Sequence, residues 1–201
     1  MLVDDHLSFR QGLTALIANE PDLEVVAEAG DGQSAVALYR QSKPDVVLMD
    51  LRLPGMGGVE ATIAIRKEFP EALVIVLTTF ETDEDIYRAI QSGAKSYLLK
   101  DTPYPEIAQT VRMVYDGQQI LPPKIASLLD QRQQRDDLSE REMAILQLLV
   151  KGRSNKEIGS ALFIAEDTVK THLKNVFAKL DVHDRTGAVI SAIRHGIVHL
   201  E

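Results

Sequence analysis

Residues 44–58 read Pro-Asp-Val-Val-Leu-Met-Asp-Leu-Arg-Leu-Pro-Gly-Met-Gly-Gly: an apolar run, Val46 to Met49, ends on Asp50 and opens into a Pro-Gly loop. A short apolar run bounded by turn residues predicts a strand buried on both faces, the kind found in parallel sheets. The pattern recurs on either side. Leu2-Val3 precedes the pair Asp4-Asp5, Leu73 to Leu77 precedes Thr78, and Tyr97-Leu98-Leu99 precedes Lys100. Strands are expected at 2–3, 24–27, 46–49, 73–77 and 96–99, with helices at 8–19, 33–41, 59–69, 83–92 and 105–115. Strictly alternating strands and helices predict βαβ units with right-handed crossovers. The expected fold class is therefore α/β, a doubly wound five-stranded parallel sheet.

In such a sheet the carboxyl ends of the strands share one edge, and ligands bind there. Asp4, Asp5, Asp50, Thr78 and Lys100, far apart in sequence, should meet at it. A carboxylate such as Asp50 can act as a nucleophile toward a labile phosphoryl group. Mg²⁺ prefers an octahedron of oxygens and is held by one or two carboxylates with water and phosphate. Asp5 and Asp50 would supply two ligands, Asp4 would act through water, and the Arg52 backbone carbonyl would complete the protein set. Crowded carboxylates repel without a cation, so the group itself calls for a metal. Lys100 offers a charge to a phosphate oxygen and Thr78 a hydroxyl.

Composition narrows the class. There is no run of eighteen apolar residues, so a membrane span is not expected. Cysteine is absent, which excludes disulfides and thiolate metal sites and fits a cytoplasmic protein. The net charge of −8 is uneven: residues 1–122 carry 10 basic against 19 acidic residues, whereas 138–201 carry 9 against 8 and four of the five histidines. A nucleic-acid partner would meet the C-terminal third.

Leu121-Pro122-Pro123 interrupts the alternation, and residues 122–137 read as a polar linker with room for one helix. From Leu138 the pattern is all helical, so the domains expected are 1–121, a linker over 122–137, and 138–201. Ser139-Glu140-Arg141-Glu142 and Ser154-Asn155-Lys156-Glu157 both carry the capping-box pattern that opens a helix. A third helix is expected over 166–180, with Val169, Leu173, Val176, Phe177 and Leu180 on one apolar face, and a fourth over 185–195.

The strings LVDDH, VVLMDLRLPGMGG, VIVLTTF and SGAKSYLLKD resemble the receiver domain of two-component response regulators. The resemblance implies that Asp50 accepts phosphate from a sensor histidine kinase, that Asp4 and Asp5 hold Mg²⁺, and that Thr78 and Lys100 bind the phosphoryl group. Tyr97 matches the family's aromatic switch position. Two departures stand out: only Met1–Val3 precede the acid pair, fewer than the family's first strand provides, and Gly57 stands where an acid is common. Lost ladder groups in an inner strand would cost stability.

LSEREMAILQLLVKGRSNKEIGSAL, TVKTHLKNVFAKLDVHDR and AVISAIRHG resemble the LuxR-type helix-turn-helix of NarL-like regulators. Lys170, Thr171 and Lys174 lie opposite the apolar stripe of the third helix, placed to enter a major groove, with Asn175 as a further contact. Lys156, Arg153 and Ser154 would sit near the DNA backbone and set register. His172 has no partner at metal spacing, and Ala165 stands where the family usually has a Ser cap. The resemblance further implies a homodimer when phosphorylated, made through the last helix, on double-stranded DNA with paired half-sites. Ala188, Ile190, Ile193 and Ile197 make that helix more apolar than one small domain needs, although covering a core face is the plainer reading.

The function expected is a transcription factor switched by phosphorylation of Asp50, not an enzyme. Two alternatives carry less weight: a DNA-binding regulator independent of phosphorylation, and an aspartate-nucleophile phosphatase. The latter wants a second Asp two residues after the nucleophile, where this chain has Arg52.

Overall fold

A computed structural model describes residues 1–79 and 82–198. The chain divides into two compact units, residues 1–81 with 86–127, and residues 82–85 with 128–201. Five parallel strands, β1 (Leu2–Val3), β2 (Glu28–Ala29), β3 (Val46–Met49), β4 (Leu73–Thr78) and β5 (Ser96–Leu99), form one sheet in the order β2-β1-β3-β4-β5. The helices are α1 (Leu7–Ile17), α2 (Gly32–Ser42), α3 (Gly58–Glu68), α4 (Asp83–Gln91) and α5 (Tyr104–Tyr115).

Alternate strand residues feed two cores. Val3, Val47, Met49 and Val74 pack with Ala35 and Tyr39 of α2 and Ala61 and Ile65 of α3. Leu2, Leu48, Ile75, Leu77 and Leu98 pack with Leu13 and Ile17 of α1 and Ile107 and Val114 of α5. Burial on both faces is why these strands read as unbroken apolar runs.

The strand expected at 24–27 is not there; β2 covers Glu28–Ala29. The register sets Leu2 against Glu28 and Val3 against Ala29, and β1 is two residues long. Glu24–Val26 therefore have no ladder partner among the described residues, and Val26 is exposed. A cavity of ≈ 670 Å³ opens beside them, lined by Met1, Leu23, Val25, Val46, Ile107 and Val111 among others. The Met1 amine is itself in the ladder, donating to the Val46 carbonyl at 2.9 Å. Burial lowers its pKa to about 6, against the opposing pull of Asp45.

Helix α6 (Pro123–Gln133) lies in the stretch read as linker. It is followed by α7 (Glu140–Val150), α8 (Asn155–Leu162), α9 (Glu166–Lys179) and α10 (Arg185–Arg194). Both capping boxes form, Ser139 with Glu142 and Ser154 with Glu157. Ile145, Leu146, Leu149, Ile158, Val169, Leu173 and Val176 build the core with Ala188, Ala192 and Ile197. Phe163 joins α8 to α9 in the left-handed region, φ 56°, and Gly159 permits the close turn, since a Cβ there would lie 2.8 Å from the Ile164 carbonyl oxygen. Ala188 and Ile197 serve the core, but Ile190 and Ile193 do not: they are 59% and 37% exposed.

Candidate functional sites

The ends of β1, β3, β4 and β5 bring the expected polar residues to one edge. Asp4 and Asp50 directly follow β1 and β3 and are both buried, while Thr78 closes β4 and is fully buried. Lys100 follows β5, and its Nζ lies 2.6 Å from an oxygen of Asp4 and 2.6 Å from an oxygen of Asp50. Burial disfavours the Lys100 ammonium, but hydrogen bonds to Asp4 and Asp50 outweigh it and raise the pKa. Its Nζ also sits 5.0 Å over the Phe9 ring. Asp5 is exposed beside them. The Arg52 amide donates to Asp50 Oδ1 at 3.3 Å, which places residue 52 against the carboxylate.

One ligand atom from each of Asp4, Asp5, His6 and Asp50 lies within 4.8 Å of the others. The donors include three carboxylates, two of them paired with the Lys100 ammonium, so a hard dication such as Mg²⁺ fits both the charge and the oxygen chemistry. The Thr78 hydroxyl is buried and has no hydrogen-bond partner among the described residues. An orphan donor beside an anionic cluster suits an oxyanion. Tyr97, in β5 opposite Val76, is fully buried.

Three contributors escaped the sequence reading. Arg10 donates to the Asp4 carbonyl and pairs with Glu28, holding the loop that carries the acid pair. Gly58 underlies Asp50: a Cβ there would lie 1.9 Å from the Asp50 carbonyl oxygen, so only glycine lets α3 start so close to the loop. His6 places its Nδ1 2.8 Å from Asp5 Oδ1. The adjacency of His6 to Asp4-Asp5 was the available signal.

In the C-terminal unit Lys170, Thr171, Lys174 and Asn175 are all exposed on α9, opposite the buried Val169, Leu173 and Val176. Lys170 is engaged by Asp167 at 2.9 Å and Glu166 at 3.6 Å, and the hydrogen bond that its ammonium donates to Asp167 raises its pKa. Lys156, Arg153 and Ser154 are exposed at the start of α8, Arg153 within 3.5 Å of Glu157. Asn155, His183 and Arg185 line the same concavity as Lys170 and Lys174, and were not foreseen. Arg185 also donates to the carbonyls of Leu149 and Arg153, tying α10 to the loop before α8.

A parallel α/β unit with an acid, hydroxyl and lysine edge, joined to a helix-turn-helix, defines a class of signal-responsive regulators. Residues 1–112 match the response regulator receiver domain, and residues 136–192 match the bacterial regulatory proteins of the luxR family. The chain is 42% identical over 203 residues to the response regulator protein VraR of Staphylococcus epidermidis, covering 98% of this chain and 97% of that protein. VraR of Staphylococcus aureus is equally similar. Among solved structures, the response regulator ChrA of a heme-sensing two-component system is 39% identical over 98% of this chain and 97% of its own, TM-score 0.57. RcsB from Salmonella enterica serovar Typhimurium, bound to promoter DNA with the phosphomimetic BeF₃⁻, shares the fold at 21% identity, TM-score 0.72, over 94% of this chain and 95% of that one. The chain belongs to the LuxR family of response regulators, with a receiver domain followed by a DNA-binding helix-turn-helix. It is a transcription regulator in kind. Among the described residues no helix is long and apolar enough to cross a membrane.

Proposed function

We propose that Asp50 accepts a phosphoryl group from a sensor histidine kinase and that this switches dimerisation and DNA binding by the C-terminal unit. The observation that carries the reading is the Lys100 ammonium bridging the buried Asp4 and Asp50 beside the buried Thr78 hydroxyl, which has no partner among the described residues. An Asp50 carboxylate oxygen attacks the phosphorus of a phosphohistidine, the P–N bond breaks, its electron pair stays on the imidazole, which takes up a proton, and an acyl phosphate remains on Asp50. Mg²⁺, when bound, neutralises charge on the transferring oxygens, and Asp4, Asp5, Asp50 and the Arg52 carbonyl would hold it.

Lys100 exchanges its bond to Asp50 for one to a phosphoryl oxygen, and Thr78 donates its hydroxyl to another. Movement of Thr78 leaves room for Tyr97 to shift, carrying the change to the surface. A hundredfold bias between two states needs only about 2.7 kcal/mol, within reach of one or two charge-assisted contacts. Lys170, Thr171, Lys174 and Asn175 read the major groove, with Lys156, Arg153 and Ser154 on phosphates. Exposed Ile190 and Ile193 supply an apolar contact for a second copy on paired half-sites about one helical turn apart. The site of action is the cytoplasm, where DNA and kinase meet.

The test is binding to a library of DNA duplexes by wild type and Asp50→Asn, with and without acetyl phosphate and Mg²⁺. Affinity and oligomerisation should rise in wild type alone. Equal binding by both proteins under all conditions would favour a phosphorylation-independent regulator.

A further inference from the structure

The acidic pocket contains one side chain that phosphoryl transfer does not use. His6 is the N-cap of α1, yet its ring makes no capping bond. Its amide donates to Asp4 Oδ1 at 2.8 Å, fixing the residue beside the buried acid, and the exposed ring turns its Nδ1 to within 2.8 Å of Asp5 Oδ1 and 3.4 Å of Asp4 Oδ1. Together with Asp50 these residues offer four ligand atoms within 4.8 Å of one another. Bonds of about 2.0–2.2 Å to a shared ion set ligand atoms at most about 4.4 Å apart. Closing the group onto one ion therefore takes only small side-chain shifts, and Asp5 and His6 are both exposed enough to make them.

Mg²⁺ gains little from an imidazole, because it prefers oxygen and keeps its waters. Co²⁺, Ni²⁺ and Zn²⁺ bind imidazole well and gain from mixed nitrogen and carboxylate donors. We propose that His6 Nδ1 is a ligand that gives this pocket selective affinity for a first-row transition dication over Mg²⁺. The inference rests on the pocket being the cation site of the phosphoacceptor reading. It adds a determinant of which cation enters, and with it a means for transition metals to compete for the pocket.

The test uses the full chain, titrated calorimetrically with CoCl₂ and with MgCl₂, and followed by the visible absorption of bound Co²⁺. Wild type should bind Co²⁺ at least about tenfold more tightly than Mg²⁺. His6→Asn should lower Co²⁺ affinity by about tenfold or more and change the Co²⁺ spectrum, with Mg²⁺ affinity moved less than about twofold. His183→Asn, an exposed histidine of the other unit, should change neither. Unaltered Co²⁺ affinity in His6→Asn, or its loss in His183→Asn, would overturn the inference. Failure of the phosphoacceptor reading looks different: acetyl phosphate and Mg²⁺ would then leave no phosphoryl group on Asp50, however Co²⁺ behaves.

Discussion

Replacing Lys100 by Met keeps the aliphatic stem and removes the one ammonium that bridges Asp4 and Asp50. Both carboxylates are buried, and each oxygen lies 2.6 Å from the same Nζ, so the two are separated by at most twice that distance. At about 5 Å and an effective dielectric constant near 20, two unit charges repel by about 3 kcal/mol. Losing one partner of a buried ion pair costs about 3–5 kcal/mol by the general experience of such deletions. The two routes agree, and Lys100→Met should destabilise the receiver by about 3–4 kcal/mol. With a urea slope of about 1.5 kcal/mol per molar, its unfolding midpoint should fall by about 2–3 M. The assay is urea unfolding followed by far-ultraviolet circular dichroism, the chain having no tryptophan. Saturating Mg²⁺ should raise the midpoint more in the variant than in wild type, because the bare carboxylates bind a cation more tightly. An unchanged midpoint in metal-free buffer would refute the argument that Lys100 neutralises the pocket.

Other consequences follow from single groups. The Met1 amine is held near pKa 6, below its ordinary value of 8.0, so the folded state binds fewer protons there than the unfolded chain. Its contribution is present in full above pH 8 and is lost as pH falls toward 6, by up to about 2.7 kcal/mol, and Nα-acetylation should remove that slope from a stability-against-pH curve. Burial opposes the Glu142 carboxylate, but Lys179 at 2.7 Å and the Ser139 amide lower its pKa, so its stabilisation should fade only as pH falls through the carboxylate range. Glu142→Ala should cost the helix-turn-helix unit about 2 kcal/mol in thermal unfolding, losing a cap and a charged hydrogen bond together. Asp167→Asn should release Lys170 and tighten DNA binding several-fold, whereas Lys174→Ala should weaken it on every sequence and lower the salt slope by about 1. Equal salt slopes for Lys174→Ala and wild type, from fluorescence anisotropy, would remove Lys174 from the phosphate-facing set.

Much of this architecture was legible because the strands are buried on both faces. Val46–Met49 and Leu73–Leu77 had to be apolar throughout, and the polar residue ending each run marked the functional edge. Serine followed by glutamate at capping-box spacing located α7 and α8 for an equally local reason. Pairing is not local, and there the reading slipped. Glu24–Ala27 has strand composition, but whether it is a strand depends on the length and register of β1, and β1 offers only Leu2 and Val3. The engagement of Lys170 by Asp167 and the duty of Gly58 beneath Asp50 also depend on three-dimensional placement. Ile190 and Ile193 show the same limit: their spacing suits a core face as well as an exposed one, and only the packing of Ala188, Ala192 and Ile197 decides which side of α10 is buried.

The central claim is that Asp50 carries the phosphoryl group. It is tested most directly by incubating wild type and Asp50→Asn with acetyl phosphate and Mg²⁺, weighing the intact proteins, and mapping the modified peptide after borohydride trapping. The account predicts one added phosphoryl group in wild type, at Asp50, and none in the variant. Equal labelling of both proteins, or a label mapped to another residue, would contradict it.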